Sequence, residues 1–324
     1  MLRVRRVFPN FEVSGEAALS RHGSATKEID PIGTSCMSAY LPSILALASA
    51  FMFAVSAHIQ NIGLDGKNAQ TASFVIIVTT AAVFWLAAPF FVETANWWTT
   101  ATFLFAASGL LRPTLSISLW THGIRLLGPT LNSGIGAIGP IFTAIAAYLI
   151  VGEEMTVAIA IGTAAVVAGI LVASYRGNVS VSSWPWWAIF LPMAAELLRA
   201  IAHSITKVGF DEVPDPFFAA LMSTTVGAVT LSIRFLAEGR KPDFQSPGMK
   251  WFVLTGVITS VAFFILNIAL EIGKVITVIP IVAISPIFAM LLGLFVFRKE
   301  TITWRTFVTI VLVVAGVMLV SLSR

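Results

Sequence analysis

The chain has 324 residues, 57% of them hydrophobic and 11% charged, with a formal net charge of +4 and a mean hydropathy of +0.90. Soluble globular domains run at about 45–50% apolar and about 25% charged, so this composition excludes a water-soluble domain and, equally, a disordered chain. Unbroken apolar runs such as Val275 to Phe297 exclude a membrane barrel, whose strands alternate apolar and polar residues, and what remains is an all-α membrane protein.

Residues 1–36 stand apart, with Arg3, Arg5, Arg6, Arg21 and Lys27 among scattered apolar residues. Phe8-Pro9-Asn10-Phe11-Glu12 interrupts the apolar run that a signal peptide needs, which predicts a flexible, uncleaved basic tail. The single cysteine, Cys36, can form no internal disulfide and no multi-thiolate metal site. A helix needs about 20 apolar residues to cross a hydrocarbon core of about 30 Å. Ten such segments follow in order, at 37–60, 69–91, 99–121, 129–151, 155–175, 185–206, 216–236, 251–272, 275–297 and 302–322. Their separators are short, and only Glu238 to Lys250 makes a loop of any length, so no soluble catalytic domain fits between them.

An internal repeat organises these segments. Pro140-Ile141-Phe142 in the fourth recurs as Pro286-Ile287-Phe288 in the ninth, 146 residues later. Glu153-Glu154-Met155-Thr156 answers Glu300-Thr301-Ile302-Thr303, and Ala168-Gly169 answers Ala315-Gly316, both at a shift of 147. Earlier in each copy, Ala57-His58 matches Ala202-His203 at a shift of 145. The expected organisation is two five-helix units, 37–176 and 184–323. Because five crossings are an odd number, the second unit starts from the opposite side of the bilayer, which makes an inverted-topology repeat of the kind transporters use.

The Gly-Pro-Ile-Phe and Gly152-Glu153-x-x-Thr156 pattern, with Ser-Pro-Ile-Phe and Glu300-x-x-Thr303 in the second copy, resembles the EamA domain of the drug/metabolite transporter superfamily. The stretch Gly123 to Thr130 is similar to that domain too, and the resemblance covers residues 38–323. Arg298-Lys299 stands where the first copy has Gly152, so that turn is not glycine-based. The resemblance implies ten helices, a central cavity between the halves and movement of small organic solutes such as amino acids, often outward.

Ionisable groups inside a span cost about 2.5–3.5 kcal/mol each and face a cavity or a partner. Glu196, Arg199 and His203 fall at i, i+3 and i+7 on the sixth segment, one face of a helix. This stripe either lines the cavity, with Glu196 and Arg199 meeting the ammonium and carboxylate of a zwitterion, or is a self-neutralising pair. Arg112, in mid-segment three beside Pro113, has no acid within a turn of it. Its charge must be met from another helix or by an anionic group of a solute. Asn132 and Asn267 suit orientation of a polar solute or interhelical hydrogen bonds. His58 and His203, at matching places in the halves, are candidates for a proton relay or gate, and Pro140 and Pro286 for kinks at the two gates. Gly162, Ala165 and Gly169 form a smooth face for a neighbouring helix. Glu153 and Glu300 are read as caps for the N-termini of helices five and ten.

No metal-ligand cluster, nucleophile beside a base or Gly-rich phosphate loop is present in the sequence, so neither an enzyme nor a cofactor is expected. The expected partners are a small polar solute, the lipid bilayer and protons as a coupling ion, without nucleic acid, in a monomer or weak homodimer. The leading expectation is an exporter of amino acids or related metabolites in the inner (plasma) membrane. The alternatives are an uptake transporter for a larger aromatic or nucleoside-like metabolite, a structural or sensory protein, and a lipid-acting enzyme. Ten Lys and Arg on the far-side loops against eight on the near-side loops and tails leave orientation open; the resemblance implies cytoplasmic termini.

Overall fold

The computed structural model describes residues 32–64, 69–174, 185–239, 242–243, 245–295 and 304–322. The chain divides into two units, Met1–Ala39 and Tyr40–Arg324. Of the first, only 32–39 are described, as the opening turns of a helix. The predicted tail therefore lies almost wholly outside the described residues, as do the Cys36 side chain, Arg298, Lys299 and Glu300.

Every regular element among the described residues is helical. In chain order these are α1 (Ile32–Gly63), α2 (Ala69–Phe91), α3 (Thr100–Gly109), α4 (Ser116–Leu127), α5 (Pro129–Gly136), α6 (Gly139–Ala146) and α7 (Val157–Ser174). Then come α8 (Phe190–Glu212), α9 (Pro216–Ala237), α10 (Met249–Ile272), α11 (Val275–Val282), α12 (Ser285–Phe295) and α13 (Trp304–Leu322). Among the described residues, eight helical stretches are long and apolar enough to cross a bilayer, from Tyr40–Gly63 to Val275–Leu294. The predicted fifth and tenth segments hold two shorter apolar helices, Val157–Val172 and Val308–Leu322.

Three of the predicted segments are broken. The fourth breaks between α5 and α6, at Ala137 and Ile138, and the ninth between α11 and α12, at Ala283 and Ile284, 146 residues on. Each break falls just ahead of a proline, Pro140 or Pro286, whose ring and missing N–H interrupt the ladder. The third breaks at Arg112, where φ −133° and ψ 117° are extended. The residue before a proline is driven out of the α region, so Pro113 accounts for this break.

Close helix packing rests on small residues. Gly162 of α7 lies against Gly316 and Val320 of α13, and Gly169 against Val313 and Thr309, so these two helices run antiparallel along the glycine face foreseen in the sequence. Along the broken third segment, Gly109 meets Ser223, Pro113 meets Gly227, Thr114 and Thr230 share a hydrogen bond of 2.6 Å, and Arg234 donates to Ser118. This register is parallel. In α2 and α10, the repeat counterparts of that pair, Thr80 donates to the Gly256 carbonyl at 3.1 Å and Gly256 packs on Thr79.

One end of the bundle is closed by cross-chain caps. The Glu212 carboxylate accepts from the N–H groups of Thr100 and Ala101 at 3.1 and 2.7 Å, at the start of α3. Glu153 accepts from Val275 and Ile276 at 2.8 and 2.9 Å, at the start of α11. Glu153 is thus a cap, as foreseen, but for the ninth segment and not the fifth. The start of α7 instead uses Thr156, whose hydroxyl accepts from Ile159 N at 3.3 Å. The sixth segment continues to Glu212, six residues beyond its predicted end. Lys207, one residue past the predicted end and so counted among the eight near-side loop and tail cations, lies inside it and donates to the carbonyls of Leu270, Glu271 and Gly273, each at 2.8 Å. A cation at the carbonyl end of α10 is where the macrodipole favours one. Beneath these caps pack the buried rings of Phe84, Phe105, Phe210, Phe217 and Phe218.

Candidate functional site

The polar stripe of α8 lies at mid-span, against the breaks of the third and fourth segments. Arg199 Nη1 donates to Glu196 Oε1 at 2.7 Å, and the pair is partly open, with 30% of the Arg199 side chain and 12% of the Glu196 side chain exposed. The other Glu196 oxygen rests on α6, where a Cβ at Gly139 would stand 2.6 Å from it. The fourth segment can come this close because its glycines present backbone alone to the carboxylate. Gly136, a turn away, makes room for the Trp120 ring, and that ring lies 5.0 Å below the Arg199 guanidinium. A cation over an indole face is a favourable electrostatic contact.

Arg112 reaches the same region from the break in the third segment. Its guanidinium lies 4.4 Å over the ring of Phe263 in α10, and the register of the third segment on α8, set by Phe105 against Gly209 and Gly123 against Pro192, brings Arg112 opposite the stretch that holds Arg199 and His203. His203, one turn along from Arg199 on α8, is buried at 7% exposure. The structure therefore brings together Arg112, Glu196, Arg199 and His203, with Trp120, Phe263 and the glycines of the fourth segment as their walls.

Asn132 is fully buried in α5, and neither amide atom has a hydrogen-bond partner among the described residues. It sits at Gly123, which also meets Pro192, one turn before Glu196. An amide has two donor hydrogens and two acceptor lone pairs to satisfy, and here no described residue meets them. Asn267 is placed differently, donating from Nδ2 to the Pro216 carbonyl at 3.5 Å in a tie between α10 and α9. His58 donates from Nε2 to the Ala289 carbonyl at 2.7 Å, one turn past Pro286, and so joins the first segment to the ninth. Sequence reasoning singled out neither Phe263 nor Gly139 as part of the site, because neither carries a polar signal. Trp120, with Trp85 and Tyr148, is a candidate for an aromatic wall on the sequence alone, and of the three it is Trp120 that lies against Arg199.

A concavity of about 430 Å³ runs between α2 and α9 and includes Val78, Ala82, Trp85, Thr225, Val229 and Leu236. No charged side chain lines it. Trp85, Val229 and Leu236 are exposed here, on a surface where the neighbour of a spanning helix is lipid.

A multi-pass helical protein with ionisable groups gathered at mid-span, where helices are broken, belongs to the class that moves polar solutes through a bilayer. The model of the EamA-like transporter family matches residues 41–175 and again 186–322. The chain belongs to that family, and it is a membrane transporter of small solutes. A solved crystal structure of a protein 15% identical in sequence superposes with a TM-score of 0.70, covering 88% of this chain and 97% of its own, which shows a shared fold. A search of the curated proteins found no match.

Proposed function

We propose that the protein exports a small polar solute, an amino acid or a relative of one, across the inner (plasma) membrane. It does so by alternating access between two inverted five-helix halves, 37–176 and 184–323. The observation that carries this reading is the meeting of Arg112, the Glu196–Arg199 pair and Trp120 on the glycine face of the fourth segment. Charges are expensive at that depth, and a partly open pair beside an unsatisfied Asn132 amide suits a solute that exchanges with it. With the shorter fifth and tenth segments counted beside the eight longer spans the chain crosses ten times, so both termini share one side, here assigned to the cytoplasm.

The antiparallel run of α7 and α13 and the matching breaks before Pro140 and Pro286 support the inverted arrangement. In this reading the two breaks are the gates, His58 holds one of them through Ala289, and His203 relays a coupling proton among the polar groups. Arg112, Glu196, Arg199, His203 and Asn132 contact the solute, Asn267 supports the wall behind Phe263, and the working unit is a monomer.

A survey of small metabolites in medium and cytosol tests this, comparing cells that make the intact protein with cells that make the Glu196→Gln, Arg199→Gln double variant. The expected result is a solute that moves to the medium only with the intact protein. Internal accumulation would reverse the direction, and equal profiles with both proteins in the membrane would reject the transport site.

A further inference from the structure

We infer that the solute carries one net negative charge and that the Arg112 guanidinium receives its carboxylate. The inference deepens the transport reading of the same site and rests on it.

The charges of the site do not balance. Two guanidinium groups, Arg112 and Arg199, lie on facing stretches of the third segment and α8, whose register is set by Phe105 against Gly209 and Gly123 against Pro192. The carboxylate beside them, Glu196, is committed to Arg199 by the 2.7 Å bond. Among the described residues, the Arg112 guanidinium has the Phe263 ring for company and no carboxylate or carbonyl. An arginine keeps its proton and offers five N–H donors in a planar fork, and a cation–π contact satisfies none of them as a hydrogen bond. A guanidinium so placed, next to a second one, calls for an anion.

The size of the imbalance selects the anion. With the His203 imidazole neutral, Arg112, Arg199 and Glu196 together hold one surplus positive charge. A zwitterion would leave that surplus in place and a cation would double it, whereas a solute of net charge −1 cancels it. A phosphate ester brings about −1.5 to −2 at neutral pH and overshoots. A carboxylate matches the fork in bidentate geometry, and the Phe263 and Trp120 rings give its organic body apolar surfaces to lie on. The chemical class is therefore a small organic acid with one uncompensated carboxylate, an acidic amino acid included.

The test is binding to the purified full-length protein in lipid nanodiscs, using acid and amide pairs of the same shape: aspartate and asparagine, glutamate and glutamine, phenylacetate and phenylacetamide. One charge-assisted hydrogen bond separates the members of a pair, so at least one acid is expected to bind about 10-fold to 100-fold more tightly than its amide. Arg112→Gln should bring that pair to within about twofold. Arg112→Lys keeps the charge but not the fork, and should keep the preference at lower affinity. If Arg112→Gln does not fold, the wild-type pairs and Arg112→Lys decide. Amides that bind as well as their acids, an Arg112→Gln protein that keeps the preference, or no binding by any acid would each overturn the inference. Charge-selective binding without transport would reject the transport reading and leave this one, and transport of a neutral or cationic solute would do the reverse.

Discussion

The sixth segment and its repeat counterpart, the first, make the same contact with opposite chemistry. In α8, Glu196 lies on Gly139 of the fourth segment and pairs with Arg199. At the repeat shift of 145, the first segment has Phe51 and Ala54. Phe51 packs edge-to-face on Phe288 of the ninth segment at 5.8 Å, and Ala54 is buried. The histidines alone agree, and even they differ in use, His58 on a backbone carbonyl and His203 buried one turn along from Arg199. Duplication supplied the scaffold twice, while the charges that define a site occur in one copy. Apolar packing can hold an interface shut without asking for a ligand, and mid-span charges cannot.

The sharpest way to break this comparison is to leave Glu196 without its partner. Arg199→Leu should cost about 2.5–3.5 kcal/mol, the price of a lone ionised group at that depth, read as a lower unfolding temperature in detergent. The double variant Glu196→Gln, Arg199→Gln should be the more stable of the two. A single variant as stable as the double would mean that the pair is solvated and structurally idle.

Gly139→Ala comes next, because its Cβ would stand 2.6 Å from Glu196 Oε2. Overpacking of this kind costs about 1–3 kcal/mol, and displacement of the carboxylate should reduce solute flux as well as thermal stability. Flux equal to wild type in transport vesicles would show that the carboxylate can sit elsewhere without loss.

Glu153→Ala removes two cap bonds that cross from the fourth segment to the ninth, and a loss of about 0.5–2 kcal/mol is expected. Hydrogen exchange should accelerate at Val275 and Ile276 while the start of α3, capped by Glu212, stays protected. The smallest effects belong to the apolar copy. Phe51→Leu should cost about 0.5–1.5 kcal/mol through its contact with Phe288, and His58→Phe about the same through its bond to Ala289, both read from unfolding temperatures.

Much of the site was legible along the chain because its parts are local. The i, i+3, i+7 spacing of Glu196, Arg199 and His203 puts them on one face of any helix, and their 2.7 Å pair needs no tertiary contact. Prolines mark all three breaks, Pro140 and Pro286 through the missing N–H and Pro113 through the extended backbone it imposes on Arg112. The small residues of α7 announced a close neighbour. Lys207 and Glu153 were misread in part, since their partners lie 63 to 66 and 122 to 123 residues away. A charged residue near the end of an apolar run looks the same in sequence whether it meets water or the terminus of another helix.

By itself the sequence determined that this protein lives in a bilayer, that it is built of helices in two related copies, and which helix carries the charged stripe. Hydropathy and periodicity decide such features within one segment, through a cost that each residue bears alone. Only the tertiary structure decided that Arg112 and Arg199 share a region, that Phe263 and Trp120 lie beneath them, that Asn132 is buried without a partner among the described residues while Asn267 has one, and that carboxylates close one end of the bundle. These depend on which helices touch and at what register, and that is set by glycine and ring contacts between residues distant in the chain, whose energies no single segment contains.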